Sequence, residues 1–317
     1  MNKALRFAFS CSVALMGLAG FSAPAPAAGT PTYALIVINQ QAAFFNQMRA
    51  GAEEEAKKRG VKLVVFNAND VSSAQVNAID DYVQQKVDGI VVDAIDVNAV
   101  RGAIRNATAA GIPVVGLDAV LPPGPQKAQV AVDNTVGSKE LAARYLDYVA
   151  KNPQGSAHIG IVGALSSVIQ NTRQKIFQDV IAASGKVTVA GVVDGQNTQD
   201  IALSAAENLL TANPDLDAIY ATGEPAMLGA IAAVQAQGRA DKVKVIGWDL
   251  APEVIRGIDR GVVLGVLQQD PPAMGRAAIA QIDNAHSGKP VQQVVMTPVT
   301  YVTKANVGAY RNLFAAK

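Results

Sequence analysis

The chain has 317 residues, more than one hydrophobic core ordinarily serves, so we expect about two domains. Its formal net charge is +1, and without Lys3 and Arg6 at the start it is −1, from 25 basic and 26 acidic residues. A near-neutral chain without a cluster of Lys and Arg lacks the charge that nucleic-acid or anionic-membrane binding requires. We therefore expect neither kind of partner.

The first 28 residues carry the features of a secretory signal peptide in the usual order. Lys3 and Arg6 give a basic start, an apolar run covers 7–21, and small residues and prolines fill 22–28. The alternative, an uncleaved membrane anchor, is disfavoured because the apolar run is shorter than the roughly 20 residues that a span needs. The sequence predicts cleavage after Ala27 or Ala28, export to the periplasm and a soluble mature protein.

Thiol and imidazole chemistry have few candidates. Cys11, the only cysteine, lies inside the apolar run, and too few apolar residues precede it for a lipid-attachment site. The only histidines, His158 and His286, are far apart in sequence. We expect no disulfide, no metal site and no other cofactor.

From residue 33 onward, short apolar runs alternate with longer segments of helical period, the pattern of βαβ units and parallel sheets. The first series predicts strands at 33–38, 62–66, 89–92 and 113–117, a short edge strand at 130–132, and helices at 44–59, 71–85 and 98–110. After a Pro/Gly-rich stretch at 121–125 and a helix at 135–150, a loop at 151–155 opens a second series. It predicts strands at 158–162, 187–193, 217–221, 243–247 and 263–267, and helices at 170–184, 199–211, 224–237 and 252–260. The fold class is therefore α/β, with two doubly wound lobes whose ligands bind at the carboxyl ends of the strands.

Three carboxylates come directly after apolar strands: Asp93, Asp118 and Asp249. A carboxylate at a strand end is held on a rigid element and can accept hydrogen bonds from two hydroxyls of one ligand, which suits a vicinal diol. The alternative is that each caps a turn or the following helix, since Asp is favoured there. Three such positions together favour a ligand site.

Phe44 and Phe45 form the only adjacent aromatic pair in a chain with 5% aromatic residues. Aromatic faces stack on the C–H faces of sugars, whereas the first helix also needs apolar side chains for its core face. We expect one ring to face the cleft and the other the core. Trp248, the only tryptophan, alternates with Asp249 along its strand, so we expect it to point away from the ligand into the core.

Enzyme and nucleotide motifs are missing from the sequence. The segment 163–167 lacks the closing glycine of G-x-S-x-G, and neither a P-loop nor H-E-x-x-H occurs. Residues 39–43, where a dinucleotide-binding protein has its glycine-rich turn after the first strand, contain no glycine. The polar segment 194–200 does not have EF-hand spacing, and we interpret it as a loop.

Several segments together resemble the ribose-binding family of periplasmic solute-binding proteins, over residues 33–304. The resemblance rests on residues 43–45, 111–118, 132–134, 227–230, 245–249 and 268–271. It implies two Rossmann-like lobes joined by a hinge of three segments, near Asp133, Gln269 and Pro298. The implied domains are an N-terminal lobe of 29–132 and 270–298 and a C-terminal lobe of 133–269 and 299–317, with the last helix, 272–288, returning to the first lobe.

Carried over residue by residue, the family's sugar contacts fall on positions that keep its residue types and on positions that depart from them. The first group is Phe44, Phe45, Asp118, Asp249 and Gln269. In the second, Asp93, Ala42 and Gly223 stand where Asn is usual, Ala119 and Asn171 where Arg is usual, and Asn197 where an aromatic residue is usual. The departures imply a more acidic pocket, unless Arg173 enters it.

The resemblance implies a monomeric protein that captures a small neutral sugar or polyol between its lobes for an ABC permease in the inner membrane. Asp93 and Asp118 of the first lobe and Asn171 and Asp249 of the second would bond the ligand on closure. Two alternatives stay open: a ligand-sensing partner of a receptor or sensor kinase, and a carbohydrate hydrolase that uses two of the carboxylates.

Overall fold

The computed structural model of the protein describes residues 29–152 and 155–314, so the predicted signal peptide lies outside the described residues. The strands are β1 (Thr32–Val37), β2 (Lys62–Asn67), β3 (Gly89–Asp93), β4 (Val114–Leu117), β5 (Ala128–Ala131), β6 (Ala157–Gly163), β7 (Val187–Asp194), β8 (Ala218–Ala221), β9 (Lys244–Trp248), β10 (Val263–Gln268), β11 (Val294–Met296) and β12 (Thr300–Val302). The helices are α1 (Ala43–Arg59), α2 (Ser72–Gln84), α3 (Arg101–Ala109), α4 (Asn134–Val149), α5 (Val168–Ala183), α6 (Gln199–Ala212), α7 (Glu224–Ala236), α8 (Pro252–Asp259) and α9 (Pro271–His286), followed by a 3-10 helix (Val307–Phe314). The predicted alternation of strands and helices is confirmed.

The strands form two six-stranded sheets. The first has the order β11-β5-β4-β3-β1-β2 and is parallel throughout. The second has the order β12-β10-β9-β8-β6-β7 and is parallel except for the pair of β10 with β12. Each order reverses once, at β1 and β3 or at β6 and β8, which is where doubly wound sheets form ligand crevices. The predicted class, two Rossmann-like α/β lobes, is confirmed.

Strand β1 illustrates how each sheet is buried on both faces. Tyr33, Leu35 and Val37 belong to one core cluster with residues of α1 and α9, whereas Ala34 and Ile36 pack into another with residues of α2 and α3. This alternation follows from the two-residue period of a strand, and a strand covered on both sides reads as a continuous apolar run. Only the strand ends are left for polar chemistry.

Two short strands escaped the sequence analysis. β11 pairs with β5, so β5 is an interior strand and the prediction of an edge strand there is wrong. β12 adds an antiparallel edge to β10. Each has three residues, too few to display a period, and β11 is largely exposed and so carries no apolar signature.

The chain passes between the two sheets three times: between β5 and α4, between β10 and α9, and between β11 and β12. Asp133 and Asp270 lie at the first two crossings, where each caps the following helix by accepting a backbone N–H bond. Helix α9 then packs along α1 of the first sheet. Gly275 permits this contact, because a Cβ there would lie 2.0 Å from the Met48 carbonyl oxygen.

No helix within residues 29–152 and 155–314 is both long and apolar enough to cross a membrane.

Candidate ligand-binding site

A cavity lies between the carboxyl ends of the two sheets and is lined by residues of both lobes. The space open to the centre of a water molecule is about 60 Å³, so the cavity itself is larger by a shell of one water radius and suits a small solute. Its first-lobe wall comes from the loop after β1, the start of α1, and the loops after β2, β3 and β4. Its second-lobe wall comes from the loops after β6 and β7, the starts of α5 and α7, and the ends of β9 and β10. This is the position predicted from the strand ends.

Phe44 and Phe45, in the first turn of α1, both line the cavity. Their rings meet edge to face, with centroids 5.2 Å apart, and both residues are more than nine-tenths buried. Both residues also belong to the hydrophobic core cluster, so the structure does not divide the two rings between cleft and core as the sequence analysis expected. Together they form an apolar patch on the cavity wall.

Asp118 follows β4 and lines the cavity in a left-handed backbone conformation, with φ 59°. Its Oδ1 atom is buried without a hydrogen-bond partner among the described residues. Burial raises the pKa of its carboxyl to about 6, an effect that the charge of Arg173 opposes and that of Asp249 reinforces. An acceptor held in this way is available to a ligand hydroxyl.

Asp93, the last residue of β3, is fully buried behind this wall rather than part of the lining. Neither of its carboxylate oxygens has a hydrogen-bond partner in the described part of the chain. Burial, and then the negative charges of Asp118 and Asp70, raise its pKa well above the ordinary value. Gln75 fixes the backbone here, donating to the Asp93 carbonyl oxygen at 2.6 Å and accepting from the Ile95 N–H at 2.9 Å.

Asp249, which follows β9, faces the cavity from the second lobe, also in a left-handed conformation, with φ 71°. Its Oδ1 accepts a hydrogen bond of 2.7 Å from Gln269 Nε2, and Gln269 lines the cavity beside it. Burial raises the pKa of Asp249, while the charge of Arg173 opposes the shift. Trp248, directly before it, is fully buried, as its alternation along the strand predicted.

Arg173 enters the cavity wall and is almost fully buried. Its Nε donates to Asn134 Oδ1 at 2.7 Å, and its Nη1 donates to the Thr222 carbonyl oxygen at 3.1 Å and lies 3.6 Å from Asp249 Oδ2. The guanidinium also stacks on the Trp248 ring, 3.8 Å from its centroid. The cavity therefore does contain a cation, in the place that the sequence analysis left open.

Asn171 lies outside the cavity, so the structure does not bring it together with the other predicted ligand contacts. It is exposed, and its Nδ2 donates to the Leu165 carbonyl oxygen at 2.8 Å. The reason is helical phase: Gln170 and Arg173, three residues apart on α5, share the face toward the cavity, and Asn171 points about 100° away.

Asn197 lines the cavity, and its partners were not found from the sequence. Its Oδ1 accepts from Gln170 Nε2 at 2.8 Å, and its Nδ2 lies 3.4 Å from Asp70 Oδ1, across the cleft. Gln170 in turn accepts a 2.6 Å bond from Thr222 Oγ1. Asp70 could have been predicted as a site residue because it follows a strand, whereas no sequence pattern distinguishes Gln170 from its neighbours in the helix.

Glu224, at the start of α7, is the main residue that sequence reasoning missed. Its two carboxylate oxygens accept hydrogen bonds from the backbone N–H groups of Ala43 and Phe44, at 2.9 and 2.8 Å, so it joins the second lobe to the amino end of α1. Burial raises the pKa of Glu224 to about 7, although the two hydrogen bonds act to lower it. The anion lies at a helix amino terminus, where backbone dipoles favour it.

The sequence matches a family model described as a periplasmic binding protein domain, over residues 33–290. The chain belongs to the periplasmic binding protein family. Ribose import binding protein of Bacillus subtilis is 30% identical over 261 residues, which cover 82% of this chain and 83% of that protein. The D-ribose/D-allose-binding protein of Pseudomonas aeruginosa is 28% identical, covering 75% of this chain and 77% of its own.

Among solved structures, an ABC transporter periplasmic solute-binding protein of Actinobacillus succinogenes with bound D-allose superposes with a TM-score of 0.81. It is 26% identical and the match covers 89% of this chain and 100% of that one. The resemblance to periplasmic solute-binding proteins is thus confirmed. Periplasmic binding proteins bind substrates rather than convert them, and act with ABC importers.

Proposed function

We propose that this periplasmic binding protein captures a small neutral sugar or polyol between its lobes and delivers it to an ABC importer in the inner membrane. The observation that carries the proposal is that Asp118 and Asp249, one from each lobe, face a single small cavity beside an aromatic pair. Relatives named for ribose and allose, and a neighbour with bound D-allose, support the same ligand class.

Each wall of the cavity has a role in this mechanism. Phe44 and Phe45 receive the apolar face of the sugar ring. Asp118, Asp249 and Gln269 accept hydroxyl hydrogen bonds, which are strong when the acceptor is charged. Because these groups lie on different lobes, a ligand gains all of them only when the cleft closes, and differential affinity for the closed form drives that closure.

Glu224 would hold the closed form, since its bonds to α1 form only when the lobes meet. The lobes in this proposal are 29–132 with 270–298, and 133–269 with 299–317, and the three crossings act as the hinge. The protein would be exported by a signal peptide, residues 1–28, which is then cleaved off. It would act as a monomer and catalyse no reaction.

A thermal-shift screen tests the proposal, because a ligand that binds only the folded state raises its melting temperature. We expect stabilisation by at least one neutral pentose, hexose or polyol, and the ligand should be recovered unaltered after prolonged incubation. The corresponding sugar acids and sugar phosphates should stabilise poorly, since they would bring negative charge to Asp118 and Asp249. Stabilisation by anionic sugars alone, or turnover of the ligand, would contradict the proposal.

A further inference from the structure

The unpartnered buried atoms around the cavity are all hydrogen-bond acceptors. Within the described residues they are both carboxylate oxygens of Asp93, Oδ1 of Asp118 and Oε1 of Gln269. All three residues are more than nine-tenths buried, with exposed fractions of 0, 5 and 4%. A buried acceptor is costly without a donor. Asp118 and Gln269 line the cavity, so a ligand can supply their donors, whereas Asp93 lies behind the lining.

The first-lobe end of the cavity also has three carboxyl groups nearby and, among the described residues, no cation of its own in the lining. Asp118 lines it, Asp93 lies directly behind, and Asp70 stands at its exposed rim. Of the described residues, no Lys or Arg of the first lobe lines the cavity.

The cation of the second lobe is already engaged by its own lobe. Arg173 is bonded to Asn134 and to the Thr222 carbonyl, pairs with Asp249 at 3.6 Å and lies flat on Trp248. These four contacts fix the guanidinium at the second-lobe end. The charge of Arg173 reaches Asp118, where it opposes the rise in pKa that burial causes, but Asp118 Oδ1 accepts no hydrogen bond within the described residues, so it is open to a positive group on the ligand.

We propose that Asp118, with Asp93 buried behind it and Asp70 at the rim, forms a cation subsite that takes the protonated amino group of an amino sugar. The inference rests on the proposed function and extends its ligand class from neutral sugars to a positively charged one. An ammonium group offers three N–H donors and no acceptor, so it complements a group of unpartnered oxygens better than a hydroxyl, whose own lone pairs also need partners. A metal ion fits less well, because the described residues contain no group of three His, Cys, Asp or Glu side chains placed to hold one.

Isothermal titration of the purified protein tests the subsite. The probes are hexoses with an amino group at carbon 2, 3, 4 or 6, each compared with its neutral parent sugar. We expect at least one amino sugar to bind about tenfold or more tightly than its parent, as one well-placed charge-assisted hydrogen bond allows. If every neutral parent binds as tightly as its amine, the subsite is refuted while the proposed function stands; if none of the sugars binds, the proposed function itself fails.

Variants then locate the subsite. Asp118→Asn should lower the ratio of amine to parent affinity by about fivefold or more, because it removes a negative charge beside the ammonium. Asp93→Asn should lower the ratio less, because Asp93 lies behind the lining and its raised pKa favours the uncharged form. Asp81→Asn removes an exposed carboxylate from α2 of the same lobe and should leave the ratio unchanged. A ratio that is unchanged in both cavity variants would overturn the assignment. The wild-type comparison decides the question even if a cavity variant fails to fold.

Discussion

Asp118→Asn should stabilise the ligand-free protein at neutral pH. The backbone there is left-handed, with φ 59°, a conformation that Asn tolerates well, so the substitution adds little strain. The folded pKa of about 6, against an ordinary value of 3.8, corresponds to roughly 3 kcal/mol of lost stability once the carboxyl is ionised. Burying the amide costs part of that gain, which leaves about 1 to 2 kcal/mol, or a rise in melting temperature of about 2 to 6 °C.

The pH dependence of this effect has a definite sign. Because the pKa is raised in the folded state, the protonated carboxyl contributes stability that is complete below about pH 3.8 and lost as the pH rises through about 6. The advantage of the variant should therefore be small near pH 4 and full at about pH 7.5. Thermal unfolding followed by circular dichroism across this range measures it, with Asp81→Asn as the control for one lost exposed charge.

The same variant should bind its sugar less tightly, by about 1.5 to 3 kcal/mol, the range for a hydrogen bond to a charged group. Stability gained together with affinity lost is what a strained binding site predicts. A lower melting temperature at pH 7.5, or a shift that is the same at pH 4 and 7.5, would refute the reasoning that the Asp118 carboxylate is held at a cost for the ligand.

Three further outcomes follow. Glu224→Gln keeps one carbonyl acceptor for the two N–H groups of α1, so the closed form should be less populated and the dissociation constant of the sugar about tenfold higher. Titration calorimetry measures this constant, and an unchanged value would contradict the role of Glu224 in holding the lobes together. Asn171→Ala should leave affinity unchanged, because its side chain is exposed and bonded to Leu165; a large loss of affinity would instead place it in the site. Mass spectrometry of the exported protein should find Ala28 or Gly29 at its start, and a periplasmic form that retains residues 7–21 would rule out cleavage.

The fold was largely predictable because most interior strands of its sheets are buried on both faces. Such strands are continuous apolar runs bounded by Gly, Pro and Asp, and they stand out from amphipathic helices of about ten residues or more. Strands β11 and β12 are short, and one of them is exposed, so no local signal marks them. Their place in the sheets is decided by pairing with β5 and β10, which is a tertiary effect.

The site was predictable only where position along the chain determines it. Asp118 and Asp249 were found because they follow strands, whose carboxyl ends meet at the cleft. Asn171 does not line the cavity, because two adjacent helical positions differ by about 100°, a phase that the sequence leaves open. Glu224 was missed because its partners are backbone N–H groups of the other lobe, about 180 positions earlier, which no residue pattern records.

Small-angle X-ray scattering of the protein without and with a saturating sugar tests most directly whether the ligand is captured between two lobes. The carboxylates that face the cavity lie on different lobes, and Glu224 bonds α1 only when these are together. The account therefore predicts a smaller radius of gyration when the ligand is bound, and a reduced compaction in Glu224→Gln. An unchanged radius at saturation would mean that one rigid lobe binds the sugar, and would contradict the account.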